Sequence, residues 1–155
     1  MSSEPFALGP GEGESITYLG GKAVFKVSAE QTGGWGVFQE TFPGGFATAR
    51  HIHHTEDGAF FVLEGKMLVH CGDQEFEATR GSFVFLPRGV PHSFRVVSDE
   101  PASWVNIQGP SGDFAKYAKK IADRADGAAI DPATRVALAK EHGLEIVGPP
   151  PAQVP

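Results

Sequence analysis

Short stretches in which apolar and polar residues alternate make up most of the first 110 positions. In the stretch 35–42, Phe38 and Phe42 fall on one face of an extended chain, and Val37 and Thr41 fall on the other. Alternation with a period of two predicts β-strands that bury one face. The predicted strands cover 15–19, 23–27, 35–42, 46–53, 58–64, 66–71, 75–79, 83–86, 92–97 and 102–108. Because Gly, Asp, Pro or Ser lies in each gap, the pattern is typical of an all-β sandwich or barrel.

The pattern changes in the last third of the chain. Apolar and aromatic residues recur there at intervals of three or four, which predicts a helix over 113–126. These residues are Phe114, Tyr117, Ala118 and Ile121. A second helix is predicted over 134–142, because Asp and Pro precede it and Gly follows it. The chain therefore divides into an N-terminal arm at 1–14, a β-domain at 15–110 and a helical tail at 111–155 with a proline-rich end.

The composition restricts the partners that this chain can have. Its 155 residues suit one domain, and 13 Lys and Arg against 19 Asp and Glu give a net charge of −6. A negative chain without clustered basic residues does not suit nucleic acid or a membrane surface. The N-terminal residues do not resemble a secretory leader, and the single Cys excludes an internal disulfide. We expect a soluble cytoplasmic protein whose partner is a small-molecule substrate.

Histidines carry the clearest chemical signal in this sequence. Three of the six His residues fall at positions 51, 53 and 54. Because residues i and i+2 of a strand point to the same face, the imidazoles of His51 and His53 converge as the ligands of a divalent metal do. His54 then points to the opposite face. His92 follows a turn rich in Pro and begins a predicted strand, which makes it the third candidate ligand. Taken alone, the pair at 51 and 53 fits a polar surface equally well.

The segments around these histidines resemble the two sequence motifs of the cupin superfamily. The first motif spans 45–65 and contains His51 and His53, and the second spans 81–92 and ends at His92. The similarity extends over most of the predicted β-domain and resembles small bacterial cupins of the quercetin-dioxygenase type. It implies a cupin jelly-roll β-barrel with the two C-terminal helices packed outside it. It also implies a catalytic centre in which the three histidines hold one divalent metal ion.

One position departs from the cupin pattern. Metal-binding cupins carry a Glu seven residues before the Gly that ends the first motif, and this chain has Gly58 there. Three explanations compete, and we favour the first. The three histidines hold the metal alone, which leaves the ion its full charge and one more open coordination position. Alternatively, Asp57 or Glu56 replaces the ligand, although Asp57 is out of phase with the strand face. In the third, metal binding is weakened or lost, and the histidines act as acid–base groups or only line a binding pocket.

A substrate pocket is predicted beside the histidines. Asn106 and Gln108 share one face of the last long strand, where their amides either line a pocket or face solvent. Phe60 and Val62 are expected to line the apolar part of the pocket, as in metal-binding cupins. Gly58 carries no side chain, which would leave room for a ligand donor next to the metal.

The predicted function is that of a metal-dependent oxidoreductase, an O₂-dependent dioxygenase that acts on a small oxygen-bearing organic substrate. Iron or nickel is the expected metal, with manganese, copper and zinc as alternatives. Two other functions compete with this one: a non-redox isomerase, cyclase or lyase, and a metal-free ligand-binding cupin. Because cupins often pair their sheets, the family resemblance also implies a homodimer.

Overall fold

The computed structural model of this protein describes residues 4–125 and 130–152. Residues 1–3 of the predicted arm, position 126 of the first predicted helix and residues 153–155 of the proline-rich end lie outside the described residues. The strands are β1 Glu14–Tyr18, β2 Gly21–Val27, β3 Gly36–Phe42, β4 Arg50–His53, β5 Glu56–Glu64, β6 Lys66–Cys71, β7 Gln74–Thr79, β8 Phe83–Leu86, β9 His92–Val96, β10 Ala102–Pro110 and β11 Leu144–Gly148. The helices are α1 Ala29–Thr32, α2 Asp113–Ala125 and α3 Pro132–Glu141.

The strands form two antiparallel sheets that pack face to face. One sheet has the order β1-β2-β3-β10-β5-β8, and the other has the order β11-β4-β9-β6-β7. Aromatic side chains from both sheets meet between them. The ring of Phe94 on β9 lies 5.1 Å from that of Trp104 on β10 and 5.7 Å from that of Phe60 on β5, measured between centroids. The predicted all-β class is therefore confirmed as two packed sheets, to which the described part of the chain adds three helices.

The turn between β5 and β6 explains the glycine that ends the first motif. Gly65 has φ = 77°, a left-handed conformation that favours Gly. A Cβ atom on Gly65 would lie only 2.6 Å from the Cα of Ala102, at the start of β10. This position therefore excludes a side chain, because the turn packs directly against the backbone of the strand that carries Asn106 and Gln108.

The two helices predicted in the tail are present, and both contribute to the core. Tyr117 and Ile121 of α2 are buried, as is Leu138 of α3. Asp131 caps α3, since its side-chain oxygen accepts a hydrogen bond from the backbone N–H of Ala133 at 3.0 Å. No helix among the described residues is long and apolar enough to cross a membrane.

The tail also contains a strand that the sequence analysis did not predict. β11 joins the five-stranded sheet beside β4, with Leu144 opposite His53 and Ile146 opposite His51. The stretch follows two helices and borders a proline-rich end, and the pairing with β4 is what makes it a strand. The tail is therefore not only helical: its last element borders the strand that carries two of the candidate ligands.

A second local difference lies in the gap between the predicted strands 23–27 and 35–42. The chain there forms the short helix α1, which Gly33 ends in a left-handed conformation. A capping box starts it: Ser28 Oγ accepts from the backbone N–H of Gln31, and Gln31 Oε1 accepts from the backbone N–H of Ser28. Because two glycines follow at 33 and 34, the sequence suggested a loop here, and the helix was not predicted.

Candidate metal centre

The three candidate histidines come together on one face of the five-stranded sheet. His51 on β4 pairs directly with His92 on β9, and His53 lies two residues further along β4. Their ligand nitrogens all lie within 4.8 Å of one another. The ring centroids of His51 and His92 are 4.4 Å apart, and that of His53 is 5.1 Å from each of them. Three imidazoles at this spacing can share one metal ion.

Backbone carbonyl groups orient two of these rings. The Nδ1 atom of His51 lies 2.7 Å from the carbonyl oxygen of Ala49, and the Nδ1 atom of His92 lies 3.3 Å from that of Val90. A carbonyl can only accept a hydrogen bond, so Nδ1 carries the proton and donates. The lone pair of each neutral ring is then on Nε2, the nitrogen left for a metal. Contacts of this kind fix the tautomer of metal-binding histidines.

Burial keeps the three imidazoles uncharged. Desolvation lowers the pKa of His51, lowers that of His53 well below its usual range, and lowers that of His92 to about 3. Repulsion from the neighbouring histidines adds to the effect at His53 and His92. Because a metal binds the neutral imidazole, the cluster does not have to lose protons before it binds an ion at neutral pH.

No carboxylate of the described residues joins the three histidines. Asp57 points outward, where its two oxygens accept hydrogen bonds from the Arg88 backbone N–H at 2.9 Å and from Arg88 Nη2 at 2.8 Å. These bonds lower the pKa of Asp57. Glu56 is buried, but its Oε2 accepts from the backbone N–H of Phe114 at 2.9 Å, near the start of α2. Neither Asp57 nor Glu56 is grouped with the three histidines, so the geometry does not support the hypothesis that one of them replaces the missing ligand.

His54 is directed away from the cluster, as the alternation predicts. Its Nε2 lies 2.8 Å from a carboxylate oxygen of Glu145 on the neighbouring strand β11. His51, His53 and His92 therefore form the cluster, and His54 is a half-exposed neighbour of the same residue type.

The histidines form part of the wall of a partly open cavity of about 50 Å³. Of the residues predicted to line a substrate pocket, Phe60, Asn106 and Gln108 line this cavity. Val62 does not, because it is fully buried in the hydrophobic core between the sheets. Gly58 faces inward on β5, where a Cβ atom would lie 3.6 Å from Gln108 Nε2. The space above Gly58 therefore borders the amide of Gln108.

A buried carboxylate in this cavity was not among the predicted site residues. Glu40 on β3 is 3% exposed and lines the cavity. Its Oε1 accepts from the Tyr18 hydroxyl, and its Oε2 accepts from Trp104 Nε1 and Asn106 Nδ2, both at 2.9 Å. Burial raises the pKa of Glu40. Burial and the neighbouring Glu40 carboxylate raise the pKa of Tyr18. The sequence held one signal, since Glu40 is a charged residue between Phe38 and Phe42 on an apolar strand face.

Comparison with known proteins supports the resemblance. Residues 37–108 match the Cupin_2 family, described as a cupin domain. Quercetin 2,3-dioxygenase from Bacillus subtilis is 28% identical over 126 residues, which are 79% of this chain and 36% of that enzyme. This chain matches less than half the length of each curated relative found.

Solved structures show the same fold. The polyketide cyclase RemF from Streptomyces resistomycificus has a TM-score of 0.58 at 17% identity, over 68% of this chain and 80% of that chain. KdgF from Halomonas sp. has a TM-score of 0.56 at 16% identity, over 62% of this chain and 84% of that chain. The family match includes all three clustered histidines. Residues 37–108 therefore match a cupin domain, as the two sequence motifs predict.

Proposed function

We propose that this protein is a metal-dependent cupin enzyme in which His51, His53 and His92 hold one divalent ion. The observation that carries the proposal is the geometry of the cluster: three neutral imidazoles, with their ligand nitrogens within 4.8 Å of one another, in the wall of a partly open cavity. The carbonyl contacts of His51 and His92 support it, because they leave Nε2 free for a metal. In this proposal the two sheets form the jelly-roll barrel of the family.

The reaction proposed is O₂-dependent dioxygenation of a small oxygen-bearing organic substrate. A divalent ion held by three neutral donors keeps its full +2 charge and acts as a strong Lewis acid on substrate oxygen atoms. The resemblance to the quercetin dioxygenase type favours iron or nickel, and imidazole ligands also suit copper and zinc. The protein orients the rings through backbone carbonyls and excludes water with aromatic walls, which include Phe60 and Phe94.

A non-redox isomerase, cyclase or lyase is the second candidate, and Glu40 is the observation that favours it. Burial raises the pKa of Glu40, which makes it a stronger base than an exposed carboxylate. It lines the same cavity as the histidines. Proton transfer to or from a metal-polarised substrate needs a group of this kind and no oxidant.

Metal loading combined with oxygen uptake tests the two candidates together. Separate portions of metal-free protein are loaded with Fe(II), Ni(II), Mn(II), Cu(II) and Zn(II), dialysed, and assayed for bound metal by mass spectrometry. Oxygen uptake is then recorded with a flavonol, a β-diketone and a small thiol. Uptake with product formation supports the dioxygenase, and product formation without uptake supports the non-redox enzyme. Metal content far below one ion per chain for all five metals overturns both.

Gly58→Glu is expected to tighten metal binding about tenfold or more by adding a carboxylate ligand. The position can accept a side chain, since a Cβ atom would lie 3.6 Å from Gln108 Nε2 and 3.9 Å from Leu86 Cβ, both ordinary contact distances. Affinity is measured by competition with a chromogenic chelator. Gly58→Gln is the matched control, because it adds the same volume without the charge. Equal affinity of the Glu and Gln variants would show that position 58 does not face the ion.

We also propose that the protein forms a homodimer through an exposed apolar patch. The outer patch, as we call it, consists of Phe61, Phe83, Phe85 and Ile107 on the solvent face of the six-stranded sheet. Phe83 and Phe85 are 63% and 55% exposed, and both lie on the edge strand β8. Phe61 pairs directly with Phe83 across the sheet, so the rings are contiguous. Contiguous exposed apolar residues on a sheet typically mark a protein interface.

The double substitution Phe83→Ser and Phe85→Ser is expected to convert the dimer into a monomer. Each Phe that is buried in the interface stabilises the dimer by about 2 kcal/mol. The double substitution removes two Phe residues from each of the two copies, so four such contributions are lost. The molar mass is measured by light scattering during size-exclusion chromatography. Phe76→Ser is the control, because Phe76 is 37% exposed on β7 of the other sheet. A wild-type protein that elutes as a monomer at every concentration contradicts the proposal.

A further inference from the structure

Two buried side-chain oxygens in the cavity have no hydrogen-bond partner among the described residues. They are Oδ1 of Asn106 and Oε1 of Gln108. Asn106 is 2% exposed and Gln108 is 8% exposed, and both line the cavity that contains the histidines. A buried polar oxygen without a donor is destabilising, because its lost contact with water is not replaced. Two such oxygens side by side on β10 indicate that something other than the protein supplies the donors.

Glu40 determines which end of the Asn106 amide faces the cavity. Oε2 of Glu40 lies 2.9 Å from Asn106 Nδ2 and 2.9 Å from Trp104 Nε1. The indole N–H can only donate, so this oxygen is an acceptor whether or not the carboxyl group carries a proton on Oε1. The amide nitrogen of Asn106 must therefore face Glu40, and its carbonyl oxygen is left as the free end.

The absence of a side chain at Gly58 makes room for the second amide. Gln108 pairs with Gly58 across β10 and β5, and its Nε2 atom lies 3.6 Å from the place of the missing Cβ. A Cβ atom there would be in ordinary contact with the amide nitrogen. The Gln108 side chain therefore lies directly over Gly58, on the inner face of the sheet.

From this arrangement we infer that Asn106 and Gln108 form a pair of hydrogen-bond acceptors for a substrate that carries two hydroxyl groups, and that Glu40 is a positioning residue for Asn106. This inference rests on the proposed function and specifies its substrate class: small polyhydroxylated carbonyl compounds. Hydroxyl groups fit better than cationic amines, because both oxygens of Glu40, the carboxylate that lines the cavity, are already occupied by neighbours. A cavity of about 50 Å³ holds roughly four water-sized groups, which limits the enclosed part of the ligand to a few non-hydrogen atoms.

The test compares two probes of the same size on protein loaded with Zn(II), which is redox-inert. 1,3-Dihydroxyacetone carries two hydroxyl donors beside a ketone, and 3-pentanone has methyl groups in their place. Binding is measured by saturation-transfer NMR titration, and zinc content is measured in every sample. Dihydroxyacetone is expected to bind more tightly than 3-pentanone. Each hydroxyl group should contribute a factor of about three to ten, the range for one neutral hydrogen bond. An apolar cavity without an acceptor pair would prefer 3-pentanone.

Variants then assign the preference to the two amides. Gln108→Met and Asn106→Leu keep the approximate volume and remove the acceptors, so each is expected to reduce the preference about threefold to tenfold. Glu40→Met removes the acceptor oxygen at similar volume, so the Asn106 amide is then free to rotate, and the variant is expected to weaken dihydroxyacetone binding without changing the zinc content. Val105→Ile, at a position on the outward face of the same strand and outside the outer patch, is the control for folding and should change nothing.

The outcomes separate this inference from the proposed function. Protein that holds zinc but prefers 3-pentanone, or whose preference survives both Gln108→Met and Asn106→Leu, overturns the acceptor pair and leaves the metal site standing. Protein that holds no zinc but still prefers dihydroxyacetone, with the preference lost in the variants, supports the acceptor pair, and it overturns the metal-dependent function if loading with the other four metals also fails. Loss of zinc in Glu40→Met would overturn the positioning role assigned to Glu40.

Discussion

His92→Ala is expected to abolish stoichiometric metal binding and to weaken the metal affinity by at least about 100-fold. This loss exceeds the one expected for a residue that only orients a metal ligand. His92 comes from the second motif and is paired directly with His51. Its removal leaves only the two donors on β4, which do not define a site for one ion. Metal content is measured after dialysis of the wild-type protein and the variant. A second readout is thermal unfolding with added zinc, since an ion at 100 times its Kd stabilises the folded state by about 2.7 kcal/mol.

His54→Ala is the matched control for that prediction. It removes the same chemical group from the same segment, but the side chain of His54 contacts Glu145 outside the cluster. The variant is expected to keep its metal and its zinc-dependent stabilisation. Equal metal loss in both variants would indicate that the whole segment unfolds, and retention of metal in His92→Ala would remove His92 from the site.

The metal-free protein is expected to lose stability steeply as the pH falls below about 6.5. Burial lowers the pKa of His53 well below 6.5 and that of His92 to about 3 in the folded state. Between these values and 6.5 the unfolded chain takes up protons that the folded chain does not. The free energy of unfolding is therefore highest above pH 6.5, the pKa of a histidine in the unfolded chain. It falls on acidification by about 1.4 kcal/mol per pH unit for each histidine. Urea unfolding at pH 7.5, 6.5, 5.5 and 4.5 measures this slope.

His92→Gln isolates the contribution of one histidine to that slope. The buried carboxyl groups of Glu40 and Glu56 have raised pKa values and act in the opposite direction, since they favour the folded state at lower pH. The difference between the wild-type and variant slopes removes this background. The variant is expected to lose stability less steeply, by about 1.4 kcal/mol per pH unit between 6.5 and 4.5. Parallel slopes would mean that His92 is charged or exposed in the folded protein.

Local sequence patterns were sufficient for most of the strands and for the histidine cluster. Alternation defines a strand when it runs between clear turn residues, as it does over β3. The cluster was predictable because two of its members lie two residues apart on one strand, and the third ends a recognisable motif. The family resemblance was needed to connect His92 to the other two, since nothing local links residues 39 positions apart.

The rest depends on contacts between distant parts of the chain. Glu40 stands out in the sequence only as a charge on an apolar face. Its role is determined by Tyr18, Trp104 and Asn106, which lie 22 to 66 positions away. The strand β11 is likewise defined by its partner β4 rather than by its own residues. Val62 was assigned to the pocket because its neighbour Phe60 lies on the same face, and the alternation cannot distinguish a cavity wall from the core.

The cavity is lined by residues from two separate parts of the chain, the cupin motifs and the strand β11. The three clustered histidines lie within the region that matches the family, whereas Leu144 and Ile146 of β11 line the same cavity from outside that region. Substitutions in the tail can therefore change the shape of the cavity while the three histidines stay as they are. Two cupins with identical motifs and different tails would be expected to accept different molecules, so the tail is the natural place to alter substrate choice in this protein by directed evolution.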